Sequence, residues 1–304
     1  MASFTTQIKD EITKIETNKM ESLSEVVAYI RYSVNLENDH LTLFIENASV
    51  ARRMFNLIKR LYGVEIKLTI RTLKKFTVKK VYILEIFDKV DIIKSDVLDI
   101  TKNILNYSEE ERNAYLKGIF LATGSINDPS KSKYHLELLI VDEELAELAN
   151  NILLTLEFSS KILKREKGYM VYIKSSEEIS DFIKLLGAIN ALFYYEDIRI
   201  YRDHKNMVNR LNNCEQANVE KSMRTCNEQL ENINYLKEHD LLTLLDEKVI
   251  TVIDYRIKYP ETTMNELAEI ITLETEYNIT KSGINHHFRK IKDLVEKHKA
   301  NQID

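Results

Sequence analysis

The chain has 304 residues, of which 44% are hydrophobic and 30% charged, a globular composition with room for two or three cores. Its formal net charge of −5 excludes a globally basic protein, so any surface that meets nucleic acid must be local and its affinity must fall with salt. No apolar run approaches a membrane span, the N-terminus lacks the basic-then-apolar layout of a secretory signal, and neither cysteine has a zinc-site partner. The expectation is a cytoplasmic protein without a cofactor or metal.

The first two thirds present the same order of elements twice. Phe4, Ile8, Ile12 and Ile15 recur at helical spacing and give an opening helix within residues 1–20. A helix over 22–33 follows, then a strand at 40–46, in which Leu41, Leu43 and Ile45 alternate. The spacing next predicts a helix over 50–62 stopped by Gly63, strands over 65–72 and 76–87, and a helix from Val90. The second pass has a helix over 110–123, a strand at 134–141 and a helix over 142–156. Strands near 161–165 and 169–174, with Gly168 in their turn, and a helix over 176–186 complete it. Helix, strand, helix, two strands and helix, repeated, predict an α+β domain over 21–198 with pseudo-twofold symmetry, its halves at 21–108 and 109–198.

The helices that open the two halves carry small residues on one face. Ala114, Gly118 and Ala122 stand four apart, and Ser24 and Ala28 begin a similar strip that Tyr32 interrupts. Such faces let backbones approach closely, so the two helices are expected to pack on each other, with Gly124 as a left-handed cap ending the second.

From Ala191 to Arg224 the pattern is largely helical and rich in Arg, Lys and Asn, including Arg202, Lys205 and Arg210. These side chains either touch phosphates or cap turns and pack against the next helix. Residues 199–240 are expected to be a helical linker, in which acidic residues such as Glu228 and Glu231 face solvent, before an all-α domain at 241–304. Both cysteines, Cys214 and Cys226, fall in this helical region, too far apart along its axis to bridge.

Thr263-Met264-Asn265-Glu266 is a capping box that opens a helix carrying Leu267, Ile270 and Ile271. After the acidic segment 272–278, Thr280 opens a second helix with Ile284, Phe288, Ile291 and Val295 on one face. Its other face carries Lys281, Ser282, Asn285, His286, Arg289 and Lys292, donors suited to phosphates and base edges. The pair predicts a helix-turn-helix reader of double-stranded DNA, with Ser282, Asn285, His286 and Arg289 near base edges and Lys281 and Lys290 on phosphates. The connection exceeds the short turn of a standard helix-turn-helix.

Leu116-Lys117-Gly118-Ile119-Phe120-Leu121-Ala122-Thr123-Gly124-Ser125 resembles the LAGLIDADG motif of homing endonucleases. With the flanking 112–137 segment, Asn209-Arg210-Leu211-Asn212-Asn213-Cys214-Glu215 and Lys281-Ser282-Gly283-Ile284-Asn285-His286, the chain resembles the WhiA family of sporulation-type regulators.

That resemblance implies a degenerate LAGLIDADG-like domain followed by a DNA-binding helix-turn-helix. It implies a transcription regulator linked to sporulation or to cell division and chromosome segregation. In active homing endonucleases each motif helix ends in a carboxylate that holds divalent metal at the scissile phosphates. By register the corresponding positions here are Ser33 and Thr123, neither an anionic ligand, so no catalytic residue and no nuclease activity are expected. The resemblance also puts the strands of the first half near DNA, making Arg71, Lys74, Lys75 and Lys79 candidate phosphate contacts, while Arg202, Lys205 and Arg210, which precede the helix-turn-helix, are candidate phosphate contacts beside that site. The alternative for that sheet is docking of a protein, RNA polymerase or another regulator, with DNA binding secondary. The internal duplication already supplies twofold symmetry, so a monomer is expected.

Overall fold

Helix starts along this chain are set largely by side-chain caps. Asn18, Asn47, Ser108, Asp142, Ser175 and Thr263 each accept a hydrogen bond from a backbone N–H in the first turn, supplying a partner that the helix itself lacks. The computed structural model describes residues 3–74 and 78–301, with side chains at 73–79 outside the description. It divides into two units, residues 1–203 and 204–304.

In the first unit, α1 (Phe4–Ile12) precedes α2 (Lys19–Ser33), β1 (Leu41–Ile45), α3 (Ala48–Tyr62), β2 (Ile66–Lys74), β3 (Val78–Ile86) and α4 (Val90–Asn103). The second half contains α5 (Glu109–Thr123), β4 (Gly124–Ile126), β5 (Leu136–Ile140), α6 (Glu143–Thr155), β6 (Lys161–Arg165), β7 (Gly168–Ile173) and α7 (Ser176–Leu186). Each half builds one antiparallel sheet, in the orders β1-β3-β2 and β4-β5-β7-β6. Alternation sets which face is buried. Leu41, Leu43 and Ile45 join Leu84 and Ile86 in the core, and Leu136, Leu138 and Ile140 join Val171 and Ile173. The duplication is therefore present in the fold, with β4, among the described residues, an addition peculiar to the second half.

The small-residue strips meet. Helices α2 and α5 pack along their lengths, and a Cβ added to Gly118 would fall 2.7 Å from the Ala28 Cβ and closer still to the Glu25 carbonyl oxygen. Tyr32 ends the strip by reaching over it, donating from its hydroxyl to the Leu145 carbonyl at 2.9 Å. Gly124 departs from expectation. Its φ of −81° and ψ of 147° are extended, because the chain runs straight from α5 into β4, pairing Gly124 with Leu138. A side chain there would strike Phe120, so the glycine serves close approach and not a left-handed cap. Gly63, by contrast, does close α3 in the left-handed region, at φ 61°.

One buried ion pair anchors this interface. Glu25, fully buried on α2, receives Nε of Arg53 at 2.5 Å and its Nη2 at 2.6 Å. The remaining guanidinium nitrogen donates to the Thr13 and Ile15 carbonyls at 3.2 and 2.7 Å, tying down the chain after α1. A buried pair of this kind endures because every polar atom finds a partner. Lys9 on α1 donates to the Leu121 carbonyl at 3.0 Å, and burial pulls its ammonium down to about 8.

Helix α8 (Ile189–Glu238) starts in the first unit and ends in the second. The second unit continues with α9 (Glu247–Lys258), α10 (Met264–Glu274) and α11 (Lys281–Asn301). Its core joins Ile233 and Leu236 of α8 to Val249, Val252 and Ile253, to Leu267 and Ile271, and to Ile284, Phe288, Ile291 and Val295. Part of 199–240, expected as linker, is thus core: the last turns of α8 bury apolar side chains, while Glu228 and Glu231 stay exposed. Both cysteines are free, 12 positions apart on α8. Among the described residues no helix is long and apolar enough to cross a membrane.

Candidate nucleic-acid interface

The candidate interface is built on α11. The four buried side chains Ile284, Phe288, Ile291 and Val295 fix how the helix is rotated, since about 100° of turn per residue places every other side chain relative to them. Thr280 caps it, accepting from the Gly283 N–H at 3.3 Å. The capping box of α10 closes as expected: Thr263 Oγ1 accepts from Glu266 N at 3.3 Å, and the Glu266 carboxylate accepts from Thr263 N at 2.7 Å.

The connection, residues 275–280, is held by two threonines in place of a tight turn. Thr275 Oγ1 donates to the Ile271 carbonyl at 2.7 Å and accepts from Tyr277 N at 3.1 Å. Thr272 Oγ1 both donates to and accepts from Ile279, at 3.3 Å each. Glu274 at the end of α10 is drawn to α9, where Lys258 Nζ donates to it at 2.9 Å and Tyr259 Oη at 3.2 Å. This keeps its carboxyl below the usual range, mainly through the Lys258 hydrogen bond.

The six residues expected on DNA divide by position. Ser282 and His286 stand opposite the buried stripe and are exposed. Lys281, Asn285 and Arg289 run along one flank. Among the described residues, Lys281, Ser282, Asn285 and Arg289 make no side-chain ion pair, and their side chains form no hydrogen bond within the chain. Lys290 is different: it lies on the opposite flank, and its Nζ donates to Asp246 Oδ2 at 2.6 Å. That hydrogen bond lowers the Asp246 pKa. The Lys290 ammonium thus already has an anionic partner within the chain, and a phosphate contact there would have to displace Asp246.

The other candidate phosphate contacts also separate. Arg202, expected on phosphate, instead donates through Nη1 to the Pro129 and Ser132 carbonyls at 2.7 and 2.9 Å, with its guanidinium 5.0 Å from the Tyr134 ring centre. It fastens α8 to the loop after β4. Lys205 and Arg210 are exposed on α8, and Arg71 is exposed on β2. Lys74, Lys75 and Lys79 lie outside the described side chains. On the same strand, Lys67 is paired with Glu85 at 3.0 Å. The helix-free faces of the sheets also carry exposed Phe44, Leu139 and Leu163, so they are not uniform cationic strips.

The two positions where homing endonucleases place carboxylates end α2 and α5. Ser33 Oγ donates to the Tyr29 carbonyl at 2.5 Å and Thr123 Oγ1 to the Ile119 carbonyl at 3.0 Å, each turned back onto its own helix. Asp128, the nearest acid in sequence after α5, accepts from Ser130 N at 2.9 Å, Ser130 Oγ at 2.7 Å and Tyr194 Oη at 3.1 Å, with Lys131 Nζ at 3.3 Å. Burial opposes its ionisation, but these donors outweigh it and hold the carboxyl below the usual range. Hydroxyls committed to carbonyls and a carboxylate committed to donors do not fit a hard divalent cation.

Sequence reasoning missed Arg256. It lies on α9 in step with Val249, Val252 and Ile253, and it is 1% exposed. Its Nη1 donates to the Thr262 carbonyl at 2.7 Å, which pins the corner between α9 and α10 beneath Phe288, whose ring centre is 5.7 Å from the guanidinium. An arginine at an apolar-stripe position was the available signal.

Three family models match in order: the WhiA N-terminal LAGLIDADG-like domain over residues 19–98, the WhiA LAGLIDADG-like domain over 112–205 and the WhiA C-terminal HTH domain over 208–295. The chain is 38% identical to a probable cell division protein WhiA of Bacillus cytotoxicus, over 99% of this chain and 98% of that one. It is 37% identical to the protein of the same description from Enterococcus faecalis, over 97% and 98%. Full-length DUF199/WhiA from Thermatoga maritima has the same fold, with a TM-score of 0.59 at 24% identity, over 97% of this chain and 99% of that one. A duplicated α+β unit, a helix-turn-helix and these matches along nearly the whole length agree: the chain belongs to the WhiA family.

Proposed function

We propose that this chain is a DNA-binding transcription regulator that reads duplex DNA through the outer face of α11, and that its LAGLIDADG-like unit is a platform that does not cut. The observation that carries the reading is the set Lys281, Ser282, Asn285 and Arg289, whose side chains are unengaged among the described residues, on a helix rotated by four buried apolar residues. An α-helix fits the major groove, where Arg pairs with guanine and Asn with adenine through two hydrogen bonds each. Lys205 and Arg210 on α8 supply phosphate contacts next to the reading helix. The descriptions of the relatives as probable cell division proteins support placing the regulated genes in division or chromosome segregation. The protein acts as a monomer associated with the nucleoid. A gel-shift titration over genomic fragments recovered with the full chain tests the reading, and uniform affinity for every fragment would refute sequence-specific regulation.

The inward-turned hydroxyls of Ser33 and Thr123 support the absence of cleavage. Supercoiled plasmid incubated with the full chain and Mg²⁺ stays intact on this reading, and nicking above the metal-free control would overturn it.

A second reading is favoured by the exposed Phe44 and Leu139 on the sheet faces: the platform docks a protein, such as RNA polymerase or another regulator. Loss of polymerase co-purification in Phe44→Ser, with duplex binding intact, would support it.

A further inference from the structure

A second cationic feature lies beside the reading face. Between α8, the start of α10 and the start of α11 runs a groove of about 620 Å³. Its charged residues are Lys221, Arg256, Lys281 and Arg289, and its other polar walls include Asn218 and Gln229. None of the fourteen lining residues is Asp or Glu, although acids outnumber bases 48 to 43 in the chain and a sample of that size would ordinarily hold about two. A wall with four cations and no carboxylate repels itself unless an anion occupies it.

Arg256 sharpens the case. A buried charge is costly unless it is paired, yet among the described residues Arg256 meets no carboxylate. Its hydrogen bonds go to neutral partners, the Thr262 carbonyl chief among them, and its Nε has none. Gln229, 6% exposed, is likewise left with an unpartnered Oε1. Both side chains line the groove. Fixed positive charge, a spare Arg256 Nε–H and amide and hydroxyl donors describe a receptor for a tetrahedral oxyanion, with the Gln229 Oε1 acceptor left for a protonated phosphate oxygen.

We propose that this groove is a phosphate-binding site that adjoins the reading face, sharing Lys281, Asn285 and Arg289 with it and extending to Lys221 on α8, and that it is filled by a phosphate of bound duplex or by a free phosphorylated molecule. The inference deepens the DNA-binding reading, and only its duplex arm rests on that reading. Lys221, on α8 and exposed, is the residue to change, because it belongs to neither the core nor the base-reading face.

The test compares the full chain with Lys221→Ala, after a thermal melt has shown equal folding. One arm titrates inorganic pyrophosphate by calorimetry at constant ionic strength. The other measures duplex affinity against salt by fluorescence anisotropy. If the groove takes backbone phosphate, Lys221→Ala reduces the slope of log affinity against log salt by about one. If it takes a free phosphate, pyrophosphate binds saturably at one site and binding weakens at least tenfold in the variant, with the salt slope unchanged. Should neither arm depend on Lys221, the proposal is overturned. Pyrophosphate binding with no affinity for any duplex would keep the groove and dismiss the DNA reading, so the two fail separately.

Discussion

Gly118→Ala tests the packing on which the first unit is built. In an isolated helix the change is favourable by about 1 kcal/mol, because alanine loses less conformational entropy than glycine. Here the new methyl would stand 2.7 Å from the Ala28 Cβ, against roughly 3.5–4.0 Å for carbon atoms in comfortable contact, and would also press on the Glu25 carbonyl oxygen. The obstructing atoms are backbone and the Cβ of a helix that is buried on both sides, so relief requires α2 and α5 to separate by about 1 Å locally. Overpacking of this kind costs about 1–3 kcal/mol, and with rigid neighbours the upper half applies, giving a net loss of about 1–2 kcal/mol. For a unit of this size that is a fall in Tm of about 3–6 °C, readable by near-UV circular dichroism or calorimetry. The double variant Gly118→Ala with Ala28→Gly should recover about 1 kcal/mol relative to additivity, because one of the two clashing groups is gone. A Gly118→Ala protein at least as stable as the native chain would refute the close approach of the helices.

Two further perturbations probe buried charge in the same unit. Glu25→Ala strands the Arg53 guanidinium without its carboxylate and should cost about 3–5 kcal/mol in urea denaturation, whereas Lys67→Ala, which removes an exposed pair, should cost less than about 1 kcal/mol; equal effects would contradict the account. Lys9 has an ordinary value of 10.5 when unfolded and about 8 when folded, so between those pH values the unfolded chain binds the extra proton and stability rises with pH. Relative to Lys9→Met, the native chain should gain about 1–2 kcal/mol between pH 7.5 and 9.5, and parallel curves for the two proteins would show that Lys9 titrates normally.

The duplicated fold was legible because each half writes its elements in two clear periods: alternation in Leu41-Thr42-Leu43-Phe44-Ile45 and helical spacing from Val50 to Leu61. The small-residue strip gave the α2–α5 contact, since Gly118 between Ala114 and Ala122 makes sense only against another backbone. Strand β4 was not legible, because three residues carry no period and its pairing with β5 is decided by tertiary position. Gly124 was read as a helix-ending cap because sequence cannot distinguish a glycine needed for its φ from one needed for its lack of a side chain. The end of α8 was hidden because no glycine or proline interrupts residues 188–259. Within the site, the face of α11 followed from its apolar stripe. The partners of Lys290 and Arg202 did not, because Asp246 and the carbonyls of Pro129 and Ser132 are remote in sequence and only folding brings them within reach.

The central claim, that the outer face of α11 reads base pairs, is tested most directly by selecting duplexes from a random pool with the full chain and measuring affinity for the winner at fixed salt. Arg289→Ala should bind that duplex more weakly by about 1–3 kcal/mol and relax the preference at one base pair, while Lys290→Ala, whose ammonium is already held by Asp246, should leave the preference unchanged. If Arg289→Ala kept the native affinity and preference on the selected duplex, α11 would not be reading the sequence through that arginine.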